Sequence, residues 1–328
     1  MPFASPSNNW LVGIAKQSAE GTVSSTATYS FPVFSGRPQP VQSITRNEVT
    51  DAAAIVGDPY KQTSSWEAAL VLPAYGRVLG TFLQGMWPTD TPSGGTHVFT
   101  GLGNTPSWVA LYSDPLGGAL DETFRDGVVT GLTFSADGNG GPLRVGVNAI
   151  GKAPTVAAWS AGTAESDTEG YFTVKGATLK YEVDNSTPAT ETNIQDFAVS
   201  VTREAAPVPT ADAVSAALLN LGKITPDFTM NLVYDDWEAY RATFYGAAAG
   251  TAASTTIVEG SVEINAIHTV NSGWSFKLAI DSAVLAASPP QPDPSGAALL
   301  VPIAGYATKP ASGDHVKPTL INSWAGTY

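Results

Sequence analysis

The sequence contains no cysteine, only three histidines and three methionines, and few charges: 14% of its 328 residues. The missing cysteine excludes a disulfide-stapled scaffold, a thiolate metal site and a cysteine nucleophile, and leaves the redox compartment open. Soluble domains ordinarily carry about 25% Asp, Glu, Lys and Arg. A chain with so little charge either covers itself with small polar residues or hides its surface against copies of itself. No stretch approaches the roughly 18 consecutive apolar residues of a membrane span. The first ten residues, Met1 to Trp10, lack a basic region followed by an apolar run, so no secretory signal is expected. The expectation is a soluble protein made in a cytoplasm. Basic residues are also scarce, 16 against 29 acidic for a net charge of −13, which disfavours a sequence-reading nucleic-acid binder. The imbalance is lopsided: residues 1–155 carry a net of −3 and residues 156–328 a net of −10.

What is abundant is turn chemistry, with 32 glycines and 24 prolines. This suits many short strands and disfavours a helical bundle. Apolar residues alternate in Trp66–Leu72, Trp108–Tyr112, Val128–Phe134, Leu143–Val147, Phe228–Tyr234 and Trp274–Ile280, the period-2 mark of half-buried strands. The glycine-rich turn at 137–141 joins the 128–136 and 143–150 strands into a hairpin, and Asn271-Ser272-Gly273 does the same for 258–269 and 274–284. Short helices are predicted at Pro73–Leu83, which has proline in its first turn and Gly85 beyond, at Asp235–Tyr245, and at Ala211–Leu221 before Gly222.

A repeat organises the chain. Strand Trp66–Leu72 runs into a helix ending Thr81-Phe82-Leu83-Gln84-Gly85, and strand Phe228–Tyr234 into one ending Ala242-Thr243-Phe244-Tyr245-Gly246. Upstream, Ser43-Ile44-Thr45-Arg46 matches Ser200-Val201-Thr202-Arg203, and a hairpin follows each helix. The reading is an N-terminal arm (1–30), a first domain (31–155), a linker (156–170), a second domain (171–287) and a C-terminal arm (288–328). The proline-broken stretch that opens the last segment is followed by Leu299, Leu300, Val301 and Ile303, too apolar for a solvated tail.

Little in the sequence carries chemistry. His97, His268 and His315 lie in separate regions without metal-ligand spacing, so satisfied or surface histidines are the reading, and no metal or other cofactor is expected. No G-x-S-x-G elbow and no Walker A sequence occurs. Asp235 and Asp236 are the pair a two-carboxylate hydrolase would need, but their reading is the completion of a helix N-terminus, with catalysis a distant second. Glu165, Asp167 and Glu169 read as a solvated loop. Trp66, Trp108 and Trp274 suit core packing, with a sugar-stacking platform in a carbohydrate-binding or adhesin-like β-sandwich as the alternative.

The ordered series Gly13-Ile14-Ala15-Lys16-Gln17-Ser18-Ala19-Glu20-Gly21-Thr22, Tyr29–Val33, Ser43–Glu48, Pro73–Gly80 and Val145–Lys152 resembles the tail tube (major tail) proteins of long-tailed bacteriophages. The resemblance runs over most of residues 8–285. It implies a mainly β protein of two tandem tail-tube-type β-sandwich/barrel domains, each with a short flanking α-helix, and no enzymatic activity. Such proteins assemble into stacked rings around a lumen that passes DNA and the tape measure protein, and they meet tail completion and baseplate proteins. Single-domain members form hexameric rings and fused members trimeric, pseudo-hexameric ones; the repeat favours the trimer, with the hexamer as the alternative. On this reading the hairpins line the lumen through Val128, Thr130, Asp137, Arg144, Glu259, Glu263, Lys277 and Asp281. Ring-to-ring contacts fall to the arms and the 47–65 loop, through Trp10, Asn47, Glu48, Tyr60, Leu299 and Val301. The acid concentrated after residue 155 is then a candidate lumen coating that repels phosphates.

Overall fold

Alternating side chains need a sheet with one face in a core, and the chain builds one almost throughout. The computed structural model describes residues 11–42, 44–47, 57–61, 63–114, 121–136, 140–152, 154–166, 168–181, 189–209, 216, 218–233, 238–247, 249–255, 257–290, 299–309 and 312–328, with the backbone alone at 44–47, 57–61, 189 and 218. Strands β1 (Leu11–Lys16), β2 (Tyr29–Phe31), β3 (Pro38–Val41), β4 (Ile44–Asn47), β5 (Gly57–Lys61) and β6 (Ser65–Pro73) precede helix α1 (Val78–Met86). Then come β7 (Thr89–Ser93), β8 (Thr96–Thr100), β9 (Val109–Asp114), β10 (Glu122–Ala136), β11 (Arg144–Gly151), β12 (Pro154–Val156) and β13 (Thr163–Ala164). Strands β14 (Phe172–Tyr181), β15 (Ala189–Glu191), β16 (Ile194–Val208) and β17 (Leu218–Val233) lead to helix α2 (Glu238–Tyr245). They are followed by β18 (Glu259–His268), β19 (Ser275–Ala287), β20 (Leu300–Ala307) and β21 (Lys317–Ile321). The protein is mainly β, with a sandwich- and barrel-like sheet architecture.

Both expected hairpins form: Leu132 pairs with Val147 in β10–β11, and Ile264 with Leu278 in β18–β19. The first is extended to β6 and β3, the second to β14 on one side and to β20 and β21 on the other. Strand β10 changes partners along its length. Its first part pairs with β9 and β12, its second with β11 and β16, and the register shifts between Phe124 and Gly127. Asp126 sits at that bend with φ 54°, a left-handed conformation that costs a non-glycine residue energy. Gln17 compensates by clamping it: its Nε2 donates to Asp126 Oδ1 at 2.9 Å and its Oε1 accepts the Asp126 N–H at 2.8 Å.

The two halves share one closed sheet and one core. Six residues of β10, Gly131 to Ala136, pair with Thr202 to Phe197 of β16, and β21 pairs with β8. The Phe134 and Phe276 rings stack across this junction at 5.3 Å. Both segments read as arms enter the sheet, β1 between β2 and β9, and β20 between β17 and β19. The connection between the halves is tied down as well at Ser160, which bridges Thr26, and at β13, which runs parallel to β2.

The helices differ from their sequence expectation in detail. Helix α1 starts at Val78 because Pro73 is still held in β6, opposite Arg144, and it runs through Gly85. A Cβ at Gly85 would lie 2.5 Å from Val129, so glycine is the residue that lets the helix cross β10. All nine residues of α1 are buried, whereas α2 buries only Ala239 and Ala242. The third helix is not formed over its second half. Leu218–Leu221 belong to β17 and pair with Val208–Ala205 of β16, a long-range ladder that overrides local propensity. Residues 210–215, 217 and 234–237, including Asp235 and Asp236, lie outside the described residues.

Candidate assembly surfaces

Because successive side chains in a strand point to opposite faces, each hairpin has an inner face in the core and an outer face of its own. In β11, Val145, Val147 and Ala149 are buried while Arg144 and Asn148 are exposed. In β10, Thr130 is half-buried at the outer face, and Val128 is 2% exposed, although the register irregularity between Val129 and Gly131 sets Val129 opposite the inward Ala149 and Val128 opposite Ile150. Asp137 lies outside the described residues. The outer face of β3, β6, β10 and β11 forms an open concavity of about 500 Å³ edged by Arg37, Gln39, Glu67, Thr130 and Asn148, with Gln39 Nε2 donating to Glu67 Oε1 at 2.8 Å.

The second hairpin carries more charge. Glu259, Lys277 and Asp281 are exposed and Glu263 is half-buried, while inward-facing Ile264, Phe276, Leu278 and Ile280 enter the core. Lys277 Nζ pairs with Glu263 across the strands, and Asn265 Nδ2 donates to the same carboxylate at 2.9 Å. The Asn265 hydrogen bond, followed by that of Lys277, holds the Glu263 carboxyl below its ordinary pKa. On β21, Lys317 pairs with Asp281, and Lys175 and Lys180 of β14 border the same face. Four lysines therefore stand among Glu259, Glu263 and Asp281. The acid excess after residue 155 does not collect on this face; charges of both signs interleave there.

The other sequence-selected positions are scattered. Trp10 and Glu48 lie outside the described residues. Asn47 and Tyr60 belong to β4 and β5, a two-stranded ribbon outside the closed sheet in which Thr45 pairs with Tyr60 and Asn47 with Gly57. Leu299 is half-buried, and Val301 is 3% exposed within β20, opposite Leu232.

Two buried polar clusters were invisible to motif searching, because their members lie far apart in sequence. Glu165, expected in a solvated loop, is buried, and its backbone N–H donates to Ser30 O at 2.8 Å. Its carboxylate lies 3.9 Å from Arg77 Nε, yet burial outweighs that guanidinium and pushes its pKa up to about 7. Arg77 in turn sits over the Trp274 ring, which packs on His268. His268 Nδ1 accepts the Asn271 N–H at 3.1 Å, and burial lowers the pKa of this histidine. The second cluster centres on His97, fully buried, with Nδ1 3.0 Å from Asp90 Oδ2 and Nε2 2.9 Å from Trp324 O. His315 is half-buried elsewhere. Among the described residues, no group of three or more His, Asp or Glu could hold a metal ion.

Trp66 is 1% exposed and packs in the core, Trp108 is half-buried, and half-buried Trp274 lies between Arg77 and His268. Among the described residues, no helix is long and apolar enough to cross a membrane. A family model described as phage tail tube protein matches residues 7–307, and the chain belongs to that family. It is a structural protein of the bacteriophage virion, a component of the tail tube. No curated protein matches it.

Proposed function

We propose that this chain assembles into trimeric rings with pseudo-sixfold symmetry, which stack into the tube that conducts viral DNA. The observation that carries the reading is the order strand, helix, hairpin, which occurs twice in a chain that belongs to the tail tube family. Each repeat is one tube domain, 31–155 and 171–287, joined through 156–170. The outer faces of the two hairpins supply the lumen wall, through Thr130, Asp137, Arg144, Glu259, Glu263, Lys277 and Asp281. Val128 and Val301 are left out of these surfaces because both are buried in the chain's own core. A wall with interleaved charges holds phosphates less than a basic one, whose binding would be driven by counterion release. The tape measure protein and DNA are the lumen's occupants, and tail completion and baseplate proteins cap the tube.

Contributing strands to a barrel shared by several subunits removes the sheet edges that otherwise invite uncontrolled pairing. Lateral contacts of this kind are head-to-tail and close by rotation. Ring-to-ring contacts fall to the β4–β5 ribbon with its 48–56 connection, to residues 1–10 and to Leu299. Electron cryomicroscopy of the purified protein or the parent virion tests the reading. Three chains per ring is the expected result. Six chains per ring would overturn the fused-domain reading, and monomers under every condition with no label on the tail would overturn the tube. Replacing 48–56 with a short Gly-Ser connection should leave rings intact and stop their stacking, scored as tube length in micrographs; tubes of ordinary length would remove that segment from the contact.

A further inference from the structure

The stretch that follows β21 is attached in an unusual way. Residues 323–327 are exposed, but the residues at either side, Asn322 and Tyr328, are buried. Asn322 donates from its N–H to Gly95 O and from Nδ2 to Gly76 O, both at 2.9 Å. The Tyr328 ring lies on Gly80 of α1, where a Cβ would come within 2.2 Å of it, and it meets the His97 ring edge-on at 4.8 Å. Between these anchors the strap is held by one buried pair. His97 faces the Asp90 carboxylate through Nδ1 and the Trp324 carbonyl through Nε2, and Asp90 Oδ2 also accepts the Tyr328 N–H at 3.0 Å.

The donor count decides the chemistry. A carboxylate and a backbone carbonyl are acceptors only, and a neutral imidazole has a single N–H. With both contacts made, the ring needs two. We propose that residues 322–328 form a proton-held strap, docked over the start of α1 while His97 carries both ring protons against the Asp90 carboxylate, and released when one of them is lost. The neutral ring would set a lone pair against either Asp90 or Trp324 O, and a polar atom of the fully buried His97 side chain left unpaired is costly.

The surroundings set what else could respond to pH. Asp90 is on β7, Lys16 on β1 donates from Nζ to Tyr328 O at 3.0 Å, and Tyr29 on β2 and Glu165 before β14 act on Tyr328 through space. Arg77 stands beside Glu165. The docked form binds one proton more than the released form, so docking weakens by up to a factor of about ten per pH unit over the range in which the released form has lost that proton and the docked form still holds it, and levels off once both have lost it.

Hydrogen exchange of the 322–328 peptide, corrected for the intrinsic rate, measures docking, and nitrogen-detected NMR of labelled histidine reads the ring. The expected result is an imidazolium signal for His97 wherever the strap is protected, with protection falling at least tenfold as that signal titrates. The same behaviour in Glu165→Gln separates His97 from Glu165. In Asp90→Asn the amide can donate to Nδ1 of a neutral ring, leaving Nε2–H for Trp324 O and the amide oxygen for Tyr328 N–H. That variant should stay docked with no pH dependence, while His97→Gln should lose protection of the strap at every pH and keep it in β18–β19. A single-proton His97 signal at a pH where the wild-type strap is protected would overturn the proposal, as would wild-type protection that does not change with pH. Asp90→Asn that titrates like the wild type would do the same.

Discussion

Replacing Gly151 with alanine is expected to cost about 2–4 kcal/mol of stability, an unusually large effect for one added methyl group. Gly151 faces Gly127 across β10–β11 and Trp66 across β11–β6. The two glycines form the floor on which the indole lies. A Cβ at Gly151 would stand 2.2 Å from Trp66 Cε2, and one at Gly127 2.2 Å from Cζ2. The indole cannot retreat, because its Nε1 donates to Arg125 O at 2.7 Å and Phe124 packs edge-on against it at 5.8 Å. Moving it therefore both overpacks the core and breaks a hydrogen bond. Trp66→Ala, which empties the site, should cost about 3–5 kcal/mol. In the double variant the penalty of Gly151→Ala should largely vanish, because the methyl group then occupies space the ring has left. Urea denaturation of the two singles and the double measures all three. Gly151→Ala within about 0.5 kcal/mol of the wild type would show that the floor is not rigid.

The second large effect is a dependence on pH. Glu165 ionises near 4.5 when unperturbed and at about 7 in the folded chain, where desolvation dominates over Arg77 and Glu169 adds to the upward shift. The folded state thus binds this proton more tightly than the unfolded state. Stability falls as pH rises through that window and levels off above it, by about 3 kcal/mol if no relaxation intervenes. Glu165→Gln should leave stability unchanged below the window and raise it above, with the gain appearing between those two values. A melting-temperature series across pH for both proteins checks this. A Glu165→Gln protein that loses stability at high pH would mean that the ion pair with Arg77 outweighs burial.

What could be read from sequence was what is local. The alternation in Val128–Phe134 and Trp274–Ile280 yields both hairpins, because a two-residue period has one interpretation when turn residues bound it. The strand-to-helix step after Trp66–Leu72 and after Phe228 was equally legible. The third helix was not, since Leu218, Leu219 and Leu221 suit a helix face or a strand, and only pairing with β16 decides between them. Glu165 looked like part of an acidic loop because nothing near it in sequence announces Arg77, Ser30 or Trp274. For the same reason His97 could be called satisfied without naming Asp90 and Trp324 as its partners. Val128 shows a subtler limit: counting by twos groups it with Leu132 and Phe134, whereas one irregularity in β10 gives Val129 the place opposite Ala149 and leaves Val128 opposite Ile150, buried nonetheless.

The pairing of β21 with β8 bears on how the protein is made. Thr319 lies opposite Val98, about 220 residues later in the chain. At a translation rate of roughly 5–20 residues per second, the ribosome delivers β21 some 10–45 s after β8. For that interval β8 has β7 on one side and nothing from this sheet on the other. A nascent chain cannot close its barrel early, because the circuit of strands is complete only after β21 has been made. Chains cut short before β21 would carry an open edge, and co-translational chaperones would meet that edge before any sister chain could.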